Sequence, residues 1–245
     1  MAKIVLVDDE LTMVQMISEV LRGEGHEVFP FTSPAGVAEA LVERHPDLVI
    51  TDLYLDKTRP HGMEIIRKAR LEAEIRARAR FSMMAGNAAL AGGDSEGAVA
   101  LLEQAASEAR SAAAAPLQAL AAIDRARALV ALDRQDEAMS ALDEATMLVP
   151  ESSEAWLLKA TLLRRMNQLD AAQVAIETAA KLAPASPDIC LEAGVIAVLA
   201  GRDGAARASW QSVIDLSADS PAAKQAKDYL IQLGPAPATP QEPPA

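Results

Sequence analysis

Three carboxylates stand where a short apolar run stops. The segment KIVLV, residues 3–7, is followed at once by Asp8, Asp9 and Glu10, and a second run, DLVIT, is followed by Asp52. Charges at the end of a buried strand need an electrostatic reason. If the two runs are neighbouring parallel strands, their carboxyl ends bring Asp8, Asp9 and Asp52 to one place, the side on which open α/β sheets bind ligands. Like charges that close repel unless a cation joins them, and an all-oxygen donor set suits Mg²⁺. The bland reading is that the three side chains cap helices or sit solvated at strand ends.

The elements that would position these acids are short. Up to Arg70 the chain alternates KIVLV, TMVQMISEVLRG, HEVFPF, SPAGVAEALVERH, DLVIT and GMEIIRKAR, which reads as βαβαβα. Strands apolar at successive positions imply burial on both faces, as in a parallel sheet covered by helices. Gly23 and Gly25 are expected to end the first helix and Ser33-Pro34 to start the second.

KIVLVDDE, the TDL beginning at Thr51 and the later HGMEIIRKAR resemble the first half of a response-regulator receiver domain. The resemblance implies a truncated flavodoxin-like module in a two-component phosphorelay. It makes Asp52 the phosphoacceptor, Asp9 a direct Mg²⁺ ligand, Asp8 a ligand through water and the Tyr54 backbone carbonyl a further ligand. A carboxylate can attack a phosphoryl group whose charge a metal has partly neutralised. The partner so implied is a histidine kinase. The chain also departs from the family. A full receiver has a fourth strand ending in a Ser/Thr and a fifth carrying a Lys, whereas after Arg70 this sequence runs straight into helices. The turn LYLDKTRPHG is longer than usual and has Asp56 where the family tends to have proline.

From Leu71 to Gly234 strand signals vanish, alanine dominates, and a 34-residue repeat emerges. Ala126, Leu129, Ala138, Leu142 and Ala145 recur as Ala160, Leu163, Ala172, Ile176 and Ala179, and again as Gly194, Ala197, Ala206, Trp210 and Val213. Gly86, Ala98, Leu102 and Ala105 hold the same relative columns one unit earlier, with extra residues before the next unit. Small residues let two helices approach and large ones fill the groove between them. This resembles the tetratricopeptide repeat family, which implies an α-solenoid that binds protein segments. The groove-facing positions so implied are Asn87, Arg127, Thr161, Arg164, Arg165 and Val195, and the arginines would favour an acidic peptide. Met83 stands where relatives that clamp a terminal carboxylate have their first lysine.

Composition narrows the function. The formal charge is −12, with 8 Lys/Arg against 12 Asp/Glu in residues 1–70 and 15 against 23 in 71–245, so a nucleic-acid partner is not expected. One cysteine, Cys190, precludes an internal disulfide and fits a reducing compartment, with the cytoplasm as the expected location. No apolar run approaches a membrane span. His26, His45 and His61 lack metal-ligand spacing, and GEG at 23–25 follows a helix instead of opening one, so neither suggests a metal or nucleotide site. Trp156, Trp210 and Cys190 fall at packing columns and are expected to be core.

The expected organisation is a partial receiver-like module over 1–70, repeats with a closing helix over 71–234, and a proline-rich disordered tail over 235–245. No proline interrupts Met63–Leu90, so the module's third helix is expected to continue into the first repeat helix. The third strand lacks its usual neighbour and is expected either to pack on repeat helices or to form a homodimer edge to edge. The function so read is a non-catalytic signalling adaptor. The competing readings are a passive scaffold with an unphosphorylated α/β part, and a rearranged fusion with no integrated function.

Overall fold

The computed structural model describes residues 1–55, 61–216 and 218–235. Asp56 and the proline-rich tail from residue 236 onward, both singled out in the sequence, lie outside the described residues. The chain forms two compact units, Met1–Ala128 and Leu129–Ala245.

In the first unit, strands β1 (Lys3–Val7), β2 (Glu27–Phe31) and β3 (Leu48–Thr51) make one parallel sheet in the order β2-β1-β3. β1 is central, and its residues Ile4 to Val7 are all buried. Alternate side chains serve opposite faces. Leu6 packs with Val14, Ile17 and Leu21 of helix α1 (Leu11–Gly23), while Val5 and Val7 pack with Val37 and Leu41 of α2 (Val37–Arg44) and with Ile65 of α3 (His61–Ala91). Burial on both sides is why Ile4–Val7 carries no polar residue, since each such side chain taken from water stabilises by roughly 1.5–3 kcal/mol.

α1 ends as expected, with Gly25 at φ +83°. α2 does not start at Ser33-Pro34. Gly36 stands just before it at φ +78°, a left-handed conformation that cannot continue a helix, so the helix begins at Val37. α3 is one helix of 31 residues running through Arg70 without interruption, as the absence of proline implies. It stops where Gly93 turns at φ +87°. Asp94 then caps α4 (Ser95–Ser111) by accepting from the Gly97 N–H at 2.9 Å. α5 (Ala115–Ala131) follows, and the division between the two units falls inside it.

The second unit continues with α6 (Gln135–Leu148), α7 (Ser153–Arg165), α8 (Leu169–Leu182), α9 (Pro187–Leu199), α10 (Asp203–Leu216) and α11 (Pro221–Leu233). The repeat columns are buried: Ala160, Leu163, Ala172, Ile176 and Ala179 form one cluster with Ile189 and Ile196, and Ala197, Ala206, Trp210 and Val213 form another with Ala223 and Ala226. The backbone repeats as well. Left-handed residues close the helix turns at Asp133, Asn167 and Gly201, each 34 positions after the last. Trp210 is core, but Trp156 is only half-buried, with its indole N–H donating to the Pro150 carbonyl at 2.8 Å. Cys190, one repeat later, is likewise half-buried, and its Sγ lies 4.0 Å from the Pro184 carbonyl oxygen.

Candidate functional site

The acidic ends meet through sheet register. Val7 pairs with Thr51, so Asp8 and Asp52 leave adjacent parallel strands side by side. The Asp52 N–H donates to the Val7 carbonyl at 2.9 Å and the Asp8 N–H to Phe31 at 3.1 Å, which fixes both backbones at the sheet's carboxyl edge. Asp8 Oδ1 accepts from the Glu10 N–H at 2.8 Å, and Asp52 Oδ1 from the Leu53 N–H at 2.7 Å. Among the described residues, the Oδ2 of each carboxylate takes no hydrogen bond. Asp9, Asp52 and Tyr54 are exposed.

Behind the site sits Gly62, the second residue of α3 and buried. Its N–H donates to the Leu53 carbonyl at 3.3 Å, and a Cβ there would collide with the Asp52 carbonyl oxygen. The start of α3 thus rests on the backbone that carries Asp52.

Oxygen donors on adjacent strand ends are of the type Mg²⁺ takes. Among the described residues, however, no group of three or more His, Cys, Asp or Glu side chains is gathered closely enough to hold a metal ion. The donor chemistry fits and the side chains are not drawn together. Among the described residues β3 is followed only by helices, so no fourth or fifth strand supplies the family's Ser/Thr or Lys.

The expected groove residues lie on α3, α5, α7 and α9, and most are already engaged, Val195 of α9 by packing against the Trp210 cluster. Asn87 Nδ2 donates to Asp124 Oδ2 at 2.7 Å, and Arg127 Nη1 donates to Oδ1 of the same carboxylate at 2.6 Å. Arg164 pairs with Glu192 at 2.6 Å, both largely buried. The Thr161 hydroxyl donates to the Leu157 carbonyl at 3.0 Å. Arg165 is exposed in the last turn of α7. Arg127 and Arg164 thus serve internal ion pairs, which sequence spacing alone did not disclose.

A second cluster was not anticipated. Arg76 Nη1 lies 2.7 Å from His45 Nδ1, joining α3 to the loop between α2 and β3. Burial, together with the nearby cations Arg76 and Lys3, holds the His45 pKa below its ordinary value. Burial also lowers Arg76, an effect that Glu72 opposes and Arg80 reinforces. The available signal was IRARAR, which puts Arg76 and Arg80 four apart on one helix face.

Residues 4–88 match the response regulator receiver domain, and residues 119–162 and 153–186 match tetratricopeptide repeats. The receiver match ends inside α3. Among solved structures, a fragment of MamA from Desulfovibrio magneticus RS-1 is 17% identical, with 64% of this chain and 93% of that one covered at a TM-score of 0.51. TTC0263, a tetratricopeptide repeat protein of Thermus thermophilus, is 19% identical over 64% of this chain and 83% of its own, with a TM-score of 0.51. A tetratricopeptide repeat protein from Parabacteroides merdae ATCC 43184 is 13% identical over 64% and 60%, with a TM-score of 0.54. At these identities the likeness is one of fold. A response regulator receiver domain, three strands of it present, is therefore followed in this chain by tetratricopeptide repeats.

Proposed function

We propose that the chain is a two-component-type signalling adaptor in which Asp52 accepts a phosphoryl group and the repeats hold a protein partner. One observation carries this reading: Asp8 and Asp52 leave adjacent parallel strands in register, on a backbone that the start of α3 touches directly. A free oxygen of Asp52 attacks the phosphorus of a phosphohistidine on a kinase. The P–O bond forms as the P–N bond breaks, the electron pair leaves on the imidazole, and that ring takes up a proton. Bound Mg²⁺ would offset charge on the phosphoryl oxygens, held by Asp8, Asp9, Asp52 and the Tyr54 carbonyl. With no lysine from a fifth strand among the described residues to pair with the product, labelling is slow. Residues 1–70 are the receiving module in this reading and 71–234 the binding module, in a cytoplasmic setting.

The passive scaffold is the second reading, and the ungathered carboxylates favour it. Titration with millimolar Mg²⁺, following backbone amide shifts, separates the two. Shifts at Asp8, Asp9 and Leu53 that weaken in Asp52→Asn support the acceptor site. Wild type and Asp52→Asn proteins that both ignore the ion would leave the scaffold.

A further inference from the structure

A cleft of about 590 Å³ lies within the first unit, between the α2–β3 loop and helices α3 and α5. Its walls combine two chemistries. Met84, Leu117 and Leu120 supply apolar surface, with Met84 69% and Leu120 46% exposed. Arg76, Arg80 and His45 supply basic groups. These exposed apolar side chains stand beside two guanidiniums on one helix face, on a chain whose formal charge is −12.

The charges are unevenly satisfied. Arg76 is steered into place by His45, and Glu72 lies on the same helix one turn before it. Arg80 is exposed and makes no hydrogen bond or ion pair among the described residues. The acid that lines the cleft, Asp47, is already committed to β1: its Oδ2 accepts from the Lys3 N–H at 2.8 Å, and its own N–H donates to the Lys3 carbonyl. Two mutually repelling cations therefore border an apolar surface, with Glu72 set on the Arg76 side and Asp47 tied to β1.

We infer that this cleft receives a protein segment in which an Asp or Glu side chain sits next to a large apolar residue. The carboxylate takes Arg80 and Arg76 in charge-assisted hydrogen bonds, and the apolar side chain covers Met84 and Leu120. The loop that carries His45 thereby makes the receiver-like module part of the binding surface. This rests on the reading that the repeats bind protein segments and adds where, and what chemistry, they recognise.

Panning a display library of random peptides against the full chain tests it. The expected result is enrichment of peptides with an acid beside Leu, Ile, Phe, Met or Trp, whose affinity falls by about tenfold or more in Arg80→Glu and in Met84→Glu. Both positions are exposed, so a matching far-UV spectrum and urea midpoint establish that these variants fold. Lys224→Glu on α11, also a charge reversal at an exposed site, should leave the affinity unchanged. Enriched peptides that bind Arg80→Glu and Met84→Glu as wild type would overturn the cleft assignment while keeping protein binding by the repeats. A library that yields no binders would overturn both.

Discussion

Gly62→Ala isolates the contact on which the candidate site rests. An added Cβ would meet the Asp52 carbonyl oxygen well inside contact distance, its carbonyl carbon at 3.0 Å and Leu53 Cα at 3.1 Å. All three are backbone atoms, so no side chain can swing aside, and either α3 or the end of β3 must move. Overpacking of this kind costs about 1–3 kcal/mol. Alanine's helix preference offsets at most ~1 kcal/mol, and less in a first turn. Gly204 is a matched control, being also the second residue of a helix, with nothing within 4 Å of its Cβ position. The propensity gain is common to both, so Gly62→Ala should be less stable than Gly204→Ala, each referred to wild type, by about 1–3 kcal/mol. Hydrogen exchange of the Ile4–Val7 amides reports on the sheet, and backbone shifts at Asp52 and Leu53 report on displacement of the site. Equal effects of the two substitutions, with Asp52 shifts unmoved, would refute the packing of α3 on the acceptor backbone.

Two other residues, Gly194 and His45, are open to similar tests. Gly194→Ala would push a methyl into the indole of Trp210, whose Cδ1 and Cε2 lie 2.5 Å from the Cβ position, and Trp210 is buried and held by Leu191. Net destabilisation of about 1–2 kcal/mol, with exchange protection lost first in α9–α11, is expected in urea unfolding, and a variant as stable as wild type would contradict the helix contact. His45 has a folded pKa below its ordinary 6.5, because burial and then Arg76 disfavour the imidazolium. Its contribution is therefore complete above the unfolded value, falls as pH drops through about 6.5, and levels off below the folded value. The stability lost between pH 7.5 and pH 5.5 should be smaller in His45→Gln, and an identical pH profile would sink the assignment.

Whatever depends on local period was legible in the sequence. Ile4–Val7 of β1 are uniformly apolar because both faces of the strand are covered there, and the repeat columns from Ala126 to Val213 are small or large according to how closely helices approach. The continuity of α3 needed only the absence of proline. The start of α2 was misplaced because Pro34 is a stronger sequence cue than Gly36, whose left-handed φ sets the boundary. Long-range pairings were hidden for a different reason. Arg164 and Glu192, or His45 and Arg76, are some thirty residues apart, and only the fold decides which of several candidate partners each finds. The half-burial of Trp156 has a local cause instead: its column is packing, but its indole nitrogen donates to the Pro150 carbonyl six residues earlier.

Intact-mass measurement after incubation with Mg²⁺ and a small-molecule phosphodonor tests the acceptor role of Asp52 most directly. The expected result is slow, partial gain of a single phosphoryl group in wild type, labile to hydroxylamine as an acyl phosphate should be, and absent from Asp52→Asn. Equal labelling of wild type and Asp52→Asn, or no labelling of wild type at all, would contradict it.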